Sequence, residues 1–350
     1  MAQAVGLDIG TSAVRAAQIS MGRGGSASLT SFGQVALPAG AVVDGEIRDQ
    51  GAVSDAVAQL WKRVKIRSKR AVVGVANQRV VVRQVDLPYL EEKEFRNSLQ
   101  FQVADHIPMP AESAELDYQI LDDYTTQAGD HMMRVLLIAA ATEMIDTFVS
   151  TLGTAGIEVT GIDLTPFAVA RAVSPAARGE VGIAGAEAIV DVGAGVTNII
   201  IHHNGEAKFV RILLIGGDEI TNALADGLRV SYEEAEAMKL DLGRGVGSAE
   251  AQRLLAQRVD ALVNEIRGSL DYYISQEESE AVTSIILTGG GSLTPGLIPQ
   301  LEQTLRSQVQ RATPLSELKW SKSGLTEEQV GHVDPIAAAA VGLAMGVAGK

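Results

Sequence analysis

The chain predicts an α/β protein of two duplicated domains with a small α/β subdomain inserted into the first. Three observations predict this. Asp8-Ile9-Gly10-Thr11-Ser12-Ala13-Val14 near the start returns as Asp191-Val192-Gly193-Ala194-Gly195-Val196-Thr197, 183 positions later. That separation is too long for a solenoid period and suits duplication of a whole domain. Thr288-Gly289-Gly290-Gly291-Ser292 follows a short apolar strand, and the stretch from Val80 to about Gly156 interrupts the first half with a pattern of its own.

The elements follow in order. Val5–Ile9 is a short apolar strand, Gly10-Thr11-Ser12 a tight turn and Val14–Ile19 a returning strand, which together make a hairpin. Gly22–Ser28 is read as a flexible turn and Leu29–Leu37 as a third strand. Ser54 is the expected N-cap of a helix whose Val57, Leu60, Trp61 and Val64 keep the spacing of a buried face. Ala71–Ala76 is a buried strand. The insertion reads as strand Val80–Leu87, helix Glu91–Asp105, a break at Pro108-Met109-Pro110, strands Leu116–Asp122 and Arg134–Ala140, and helix Thr142–Leu152. The second hairpin is Ala188–Val192 and Thr197–His202. Helices are expected over Ile220–Leu228, Tyr232–Leu240 and Ala249–Ile274, then a strand Ile285–Leu287, a helix from Pro295 or Gly296, and a closing helix.

With 350 residues, 46% of them hydrophobic, the chain can bury two cores. Its 43 acidic and 29 basic residues leave a net charge of −14, which repels nucleic acid and anionic lipid. The densest basic stretch, Lys62–Arg70, reads as the solvated face of a short helix and its exit. Without cysteine there are no disulfides, thiolate metal sites or thiol nucleophiles. The start, Met1-Ala-Gln-Ala-Val, does not look like a signal peptide, so the expected location is the cytoplasm. The longest apolar run, Ile336–Gly349, is shorter than the ~20 residues of a membrane span and reads as a buried helix. No direct membrane insertion is expected, and any recruitment to the membrane must come through a partner.

An Asp at a strand end followed by Gly and a small hydroxylated residue brings backbone N–H groups to phosphate oxygens while its carboxylate holds water or a magnesium ion. One such turn is also what any tight hairpin wants. Two of them, one per half, fit a nucleotide clamped from both sides, and the triple glycine lets backbone and purine meet without an intervening side chain. There is no G-x-x-x-x-G-K-[ST] and no G-x-S-x-G, and His202 and His203 are strand neighbours that face opposite sides.

Asp8-Ile9-Gly10-Thr11, Asp191-Val192-Gly193-Ala194-Gly195 and Thr288–Ser292 resemble, in order and spacing, the phosphate-1, phosphate-2 and adenosine motifs of actin, FtsA, MreB and DnaK-type proteins. The resemblance spans essentially the whole chain. It implies an actin-like (ribonuclease H-like, duplicated) fold, with residues 1–83, 157–187 and 333–350 in the first domain, 84–156 as an FtsA-type insertion, and 188–332 in the second domain with a mostly helical part at about 217–280. It also implies ATP and Mg2+ as ligands, the ion held through water by Asp8 and Asp191. Gly10, Thr11, Ser12, Gly193, Ala194, Gly195, Gly289, Gly290, Gly291 and Ser292 would line the nucleotide. Gly217 and Asp218 would close on the terminal phosphates, and Glu236 and Lys239 would reach ribose and base. Gly161–Ala172 and Asp334–Met345 would be the helices that cross between the domains.

Within the insertion, Val80–Pro88 and Val103–Pro110 are similar to PilM sequences in particular, as are Val43–Ile47 and Gly74-Val75. That resemblance implies a part in type IV pilus assembly. A groove beside the insertion would hold the N-terminal cytoplasmic peptide of a bitopic PilN-like protein, with Glu91–Pro110 the candidate for one wall, which would recruit the chain to the inner face of the membrane. Self-association is left open. FtsA itself ends in an amphipathic membrane helix, and none is expected in this chain. The alternatives are an FtsA- or MreB-like filament protein and a sugar or acetate kinase on the same scaffold. Hydrolytic relatives carry Glu or Gln where this chain has Thr165; Asp163, expected on the same side of a strand, is the candidate substitute. The expectation is nucleotide binding with slow or no hydrolysis.

Overall fold

The computed structural model describes residues 2–22, 27–276, 279–321 and 323–348. The middle of the turn expected at Gly22–Ser28 and the end of the apolar run at Gly349 lie outside the described residues.

The first sheet is built from β1 (Ala2–Ile9), β2 (Ala13–Met21) and β3 (Ala27–Ala36). A small hairpin of β4 (Val42–Val43) and β5 (Glu46–Ile47) and helix α1 (Gln50–Val64) lead to β6 (Arg70–Val75). The inserted subdomain contributes β7 (Val80–Pro88), α2 (Glu92–Val103), β8 (Ala114–Thr125) and β9 (His131–Ala141). After α3 (Thr142–Thr154), the chain returns to the first sheet as β10 (Glu158–Leu164) and leaves it through α4 (Thr165–Val173). The second half holds β11 (Ala186–Val192), β12 (Thr197–His203), β13 (Glu206–Leu213), α5 (Gly217–Leu228), α6 (Tyr232–Leu242) and α7 (Ala249–Ile274). It ends with β14 (Val282–Thr288), α8 (Leu297–Leu305), β15 (Val309–Arg311) and α9 (Glu327–Ala348).

The duplication is complete at the level of topology. One sheet runs β3-β2-β1-β6-β10 and the other β13-β12-β11-β14-β15, each an antiparallel three-strand meander continued by two parallel strands. The actin-like two-domain fold expected from the motifs is the fold observed. The central strands are nearly continuous apolar runs because both faces are covered.

The insertion is a separate three-stranded sheet, β7-β9-β8. Met133, Val135 and Leu137 of β9 pack under Phe95, Leu99 and Val103 of α2, while Ile138 and Ala140 on its other face pack toward the first domain. The boundaries expected at 84 and 156 therefore shift. The sheet starts at Val80, and α3 places Met144, Phe148 and Leu152 in the core of the first sheet.

Three local expectations are corrected. Asp49, not Ser54, caps α1, accepting a hydrogen bond from Ala52 N at 2.9 Å; Ser54 is buried inside the helix. Gly161–Leu164 is not helical, because this stretch pairs in parallel with β6 and the crossing helix begins only at Thr165. Strands β13 and β15 escaped the sequence reading. The closing helix is also longer than the apolar run: Glu327–Val347 is long and apolar enough to cross a membrane by length and composition, and half of its most apolar stretch is buried inside the fold. Its small residues permit a close crossing with α4, where a Cβ on Gly342 would lie 1.7 Å from Ala168 O.

Candidate nucleotide cleft and an adjoining groove

The two hairpins share one backbone turn and one aspartate position but differ in the aspartate's partner. Asp8 on β1 lies opposite Arg15 on β2, which donates from a guanidinium nitrogen to Asp8 Oδ2 at 3.3 Å. Asp191 on β11 lies opposite Asn198 on β12, whose amide donates to Asp191 Oδ2 at 3.1 Å. Gly10 N donates to Ala13 O at 3.0 Å and Gly193 N to Val196 O at 2.9 Å, closing the same turn twice. Both aspartates open onto one cleft of about 420 Å³ between the domains.

Most of the expected nucleotide residues line this cleft: Gly10, Thr11 and Ser12 from the first hairpin, Gly193 and Ala194 from the second, Gly217, Asp218, Glu236 and Lys239 from α5 and α6, and Gly289, Gly290 and Gly291. Thr165 lines it too. Three expected residues do not. Gly195 serves the approach of the two hairpins, since a Cβ there would lie 2.8 Å from Thr11 Oγ1. Ser292 is fully buried behind the glycines. Asp163 points elsewhere, because α4 begins at Thr165 and the strand alternation expected to align the two residues ends at Leu164. Its Oδ1 accepts from Leu164 N at 2.8 Å and its Oδ2 from Arg171 at 3.0 Å, so it is no substitute for the missing Glu or Gln.

Burial pushes the Asp8 carboxyl up, against the guanidinium of Arg15. Burial raises Asp191 further, to about 6; the Asn198 hydrogen bond opposes this and the charge of Asp8 adds to it. Arg15 Nε and Asn198 Oδ1 are buried without a partner, as groups awaiting water or ligand atoms would be. The residues thus fit a magnesium nucleotide. No group of three or more His, Asp or Glu able to hold a metal occurs among the described residues, so a hard cation here would draw most of its oxygen ligands from phosphate and water.

Other polar groups are already committed. Gly217 N and Asp218 N donate to Gly193 O and Ala194 O at 3.0 and 2.9 Å, tying the start of α5 to the second hairpin. Lys239 is buried, with Nζ 2.7 Å from Glu236 Oε2, 2.8 Å from Thr221 Oγ1 and 3.4 Å from Gly217 O. All three of its protons are thereby committed, one within α6 to Glu236 and two across to Thr221 and Gly217 of α5. Arg15 and Tyr232 were not foreseen. Arg15 could have been read as the one charge on an otherwise largely apolar strand; Tyr232 donates to Asp218 Oδ1 at 2.7 Å, and burial followed by that bond pushes its phenol well up.

The glycine run divides by function. Gly289 has φ +83° and its Cβ would lie 2.3 Å from Val192 O, so the fold itself demands glycine. Gly290 is different: a Cβ there meets only Ile336 Cγ2, at 3.5 Å, and both residues line the cleft.

A second concavity, of about 440 Å³, lies between the insertion and the first domain. Glu115 and Asp117 of β8, Ile138 of β9, Ile145 and Val149 of α3, residues 159–164 of β10 and Phe167 of α4 line it. The wall expected at Glu91–Pro110 is not part of it, because α2 covers the opposite face of the insertion's sheet.

The family model described as "Type IV pilus assembly protein PilM" matches residues 6–347. The cell division protein FtsA of Bacillus subtilis is 26% identical over 354 residues, covering 89% of this chain and 78% of FtsA. Among solved structures, a PilM-PilN type IV pilus biogenesis complex superposes with a TM-score of 0.84 at 24% identity, over 98% of this chain and 97% of that one. MreB5 of Spiroplasma citri bound to ADP gives 0.51 at 13% identity, over 91% and 94%. With its duplicated hairpins, its inserted sheet and a match across nearly its full length, this chain belongs to the PilM family of type IV pilus assembly proteins.

Proposed function

We propose that this chain binds ATP with Mg2+ in the interdomain cleft and docks the N-terminal cytoplasmic segment of a PilN-like membrane protein in the groove beside β10. It would thereby report nucleotide state to the pilus platform at the inner face of the membrane. The observation that carries the nucleotide reading is the convergence of Asp8 and Asp191 on one cleft beside Gly290, whose missing side chain the fold does not require. Asp8 and Asp191 would orient the ion's waters, Arg15 would face phosphate oxygens, and Gly290 would let the nucleoside approach the backbone. Bound Mg2+ would supply charge neutralisation of the phosphates.

Thr165, 7% exposed and lining the cleft, would stand where hydrolytic relatives carry a Glu or Gln. A hydroxyl there is a poor general base at neutral pH, so nucleotide acts as a bound state rather than a rapidly consumed substrate. The groove supports the docking reading by its chemistry: an apolar floor of Ile138, Ile145, Val149 and Phe167 with carboxylates at its rim. Calorimetric titration with Mg-ATP and with the partner peptide, on wild type and Asp191→Ala, tests both halves. Saturable ATP binding lost in the variant supports the first; absence of peptide binding in every nucleotide state would remove the second.

A further inference from the structure

The inserted sheet touches more than the domain that carries it. Leu136, Ile138 and Ala140 share one face of β9, yet they do not end in one place. Ile138 and Ala140 line the groove and pack toward the first domain. Leu136, 5% exposed, belongs instead to an apolar core that also holds Val169 of α4, Ile200 of β12 and Ala207 of β13. β7 repeats the division: Val82 stands opposite Ile138, and Gln84 opposite Leu136. The Gln84 amide crosses to the second domain and donates to Ala207 O at 2.8 Å.

Ala207 lies where β13 carries an extra residue. Ile201 of β12 pairs with Phe209 and His202 with Ala207, which leaves Lys208 as a bulge. A bulge bends its strand and re-aims the groups beside it. β13 is also the outermost strand of its sheet among the described residues, so half of its main-chain groups lack a strand partner. Gln84 supplies a donor there, and because Ala207 is only 6% exposed, water is a poor replacement.

We infer that Gln84 and Leu136 latch the insertion to the second domain, so that the insertion follows that domain when the cleft opens or closes and the groove changes width. The insertion joins the first domain at Val80, Ala140 and Ala141, which are buried in its core and serve as the pivot. The opposite wall of the groove behaves differently. β10 pairs with β6, and Arg171 ties the turn after it to Gly342 O of α9 at 2.8 Å. α9 itself sits so close to β1 that a Cβ on Gly6 would lie 2.1 Å from Ala340 O. That wall stays with the first domain. The two walls thus belong to different bodies, and loss of either anchor removes the change in width. The nucleotide-dependent part of this inference rests on the cleft reading above; the latch itself does not.

The chain has no cysteine, so Asp117→Cys and Val149→Cys place two spin labels at exposed positions on the groove's opposite rims. Pulsed electron paramagnetic resonance measures their separation in the full chain with and without Mg-ATP. Three backgrounds are compared: Gln84 itself, Gln84→Met, which keeps the bulk and removes the donor, and Gln84→Glu, which sets a carboxylate against Ala207 O. Without nucleotide, the distance distribution should broaden from Gln to Met to Glu, with the melting temperature lowered by no more than about 4 °C. With Mg-ATP bound, the mean distance should shift by about 2 Å or more in the Gln84 background and by less than about 1 Å in both variants. An unbroadened distribution in Gln84→Glu, or an ATP-driven shift as large in the variants as with Gln84, would overturn the latch. ATP binding by calorimetry with no shift in the Gln84 background would overturn it too, while leaving the cleft reading intact. If ATP does not bind at all, the cleft reading fails, and the nucleotide-free broadening still decides the latch.

Discussion

Asp163 and Thr165 are separated by a single residue and line different cavities. Asp163 forms part of the groove beside β10, whereas Thr165 faces the nucleotide cleft, its Oγ1 so close to Gly74 that a Cβ there would lie 2.8 Å away. The turn from β10 into α4 is thus a wall shared by the two sites. Arg171 pins it, donating to Asp163 Oδ2 at 3.0 Å and to Gly342 O of α9 at 2.8 Å. α9 in turn lends Pro335, Ile336, Ala338 and Ala339 to the cleft, and Pro335 O accepts from Gly289 N at 2.8 Å.

Arg171→Ala should therefore uncouple the two sites. If ATP changes peptide affinity in the wild type by about fivefold or more, a common size for coupling, the variant should show less than about twofold dependence with ATP still bound. The pair is partly exposed, so the stability cost should be only about 1 kcal/mol. Calorimetry with and without ATP, together with denaturant unfolding, reads both quantities.

Asp191→Asn should stabilise the nucleotide-free protein at neutral pH and abolish stabilisation by Mg-ATP. Because the folded carboxyl titrates near 6 and an ordinary one near 3.8, the native state holds a proton between these values that the unfolded chain has lost. Stability from this group therefore falls as pH rises from about 4 to 6, by roughly 3 kcal/mol in all. The advantage of the Asn variant should be full above about pH 6 and vanish near pH 4. Urea titrations at a series of pH values measure it, and a variant no more stable than wild type at pH 7.5 would contradict the account.

Gly289→Ala and Gly290→Ala should separate folding from binding. Alanine at 289 meets both a forbidden backbone angle and Val192 O, and should cost at least ~2 kcal/mol. At 290 the added methyl meets only Ile336 within ordinary contact distance; stability should hold within about 0.5 kcal/mol while ATP affinity falls. Thermal melts with and without Mg-ATP distinguish the two.

A buried polar knot near the end of α4 sets an acid limit. Ser174, which follows α4, donates to Glu187 Oε2 of β11, and His202 Nε2 of β12 lies 3.2 Å from the same oxygen. Burial raises the Glu187 carboxyl, but the bonds from His202 and Ser174 outweigh it and hold it below its usual range. Its contribution is complete above the ordinary carboxylate pKa and is lost as pH falls through the lower folded value. Wild type should thus lose stability below about pH 4.5, and Glu187→Gln should show a smaller acid slope, at a cost of about 1–3 kcal/mol at neutral pH.

Asp8, Asp191 and Gly289–Gly291 were legible in the chain because a strand end, a tight turn and a close backbone approach each restrict residue type locally, and because the duplication writes the signal twice. The order of the elements was legible for the same reason, through apolar periodicity. Arg15 was harder to see, since one charge on an apolar strand declares burial but not its partner. Asp163 was misread because the strand's alternation was extended one residue too far, and a single residue decides which cavity a side chain enters.

The duplicated halves, the inserted subdomain and the glycines of the cleft are properties of the chain itself, carried by local backbone demands and hydrophobic periodicity. Which groups face one another is not. That Lys239 has its protons committed to Glu236, Thr221 and Gly217, that β10 is left as an edge, and that Thr165 and Asp163 part company at the start of α4 all depend on how the sheets and crossing helices pack. The contacts that decide these points, Lys239 with Thr221, β10 with β6 and Arg171 with Gly342 among them, join residues well separated in the chain, and nothing in the spacing of either partner specifies them.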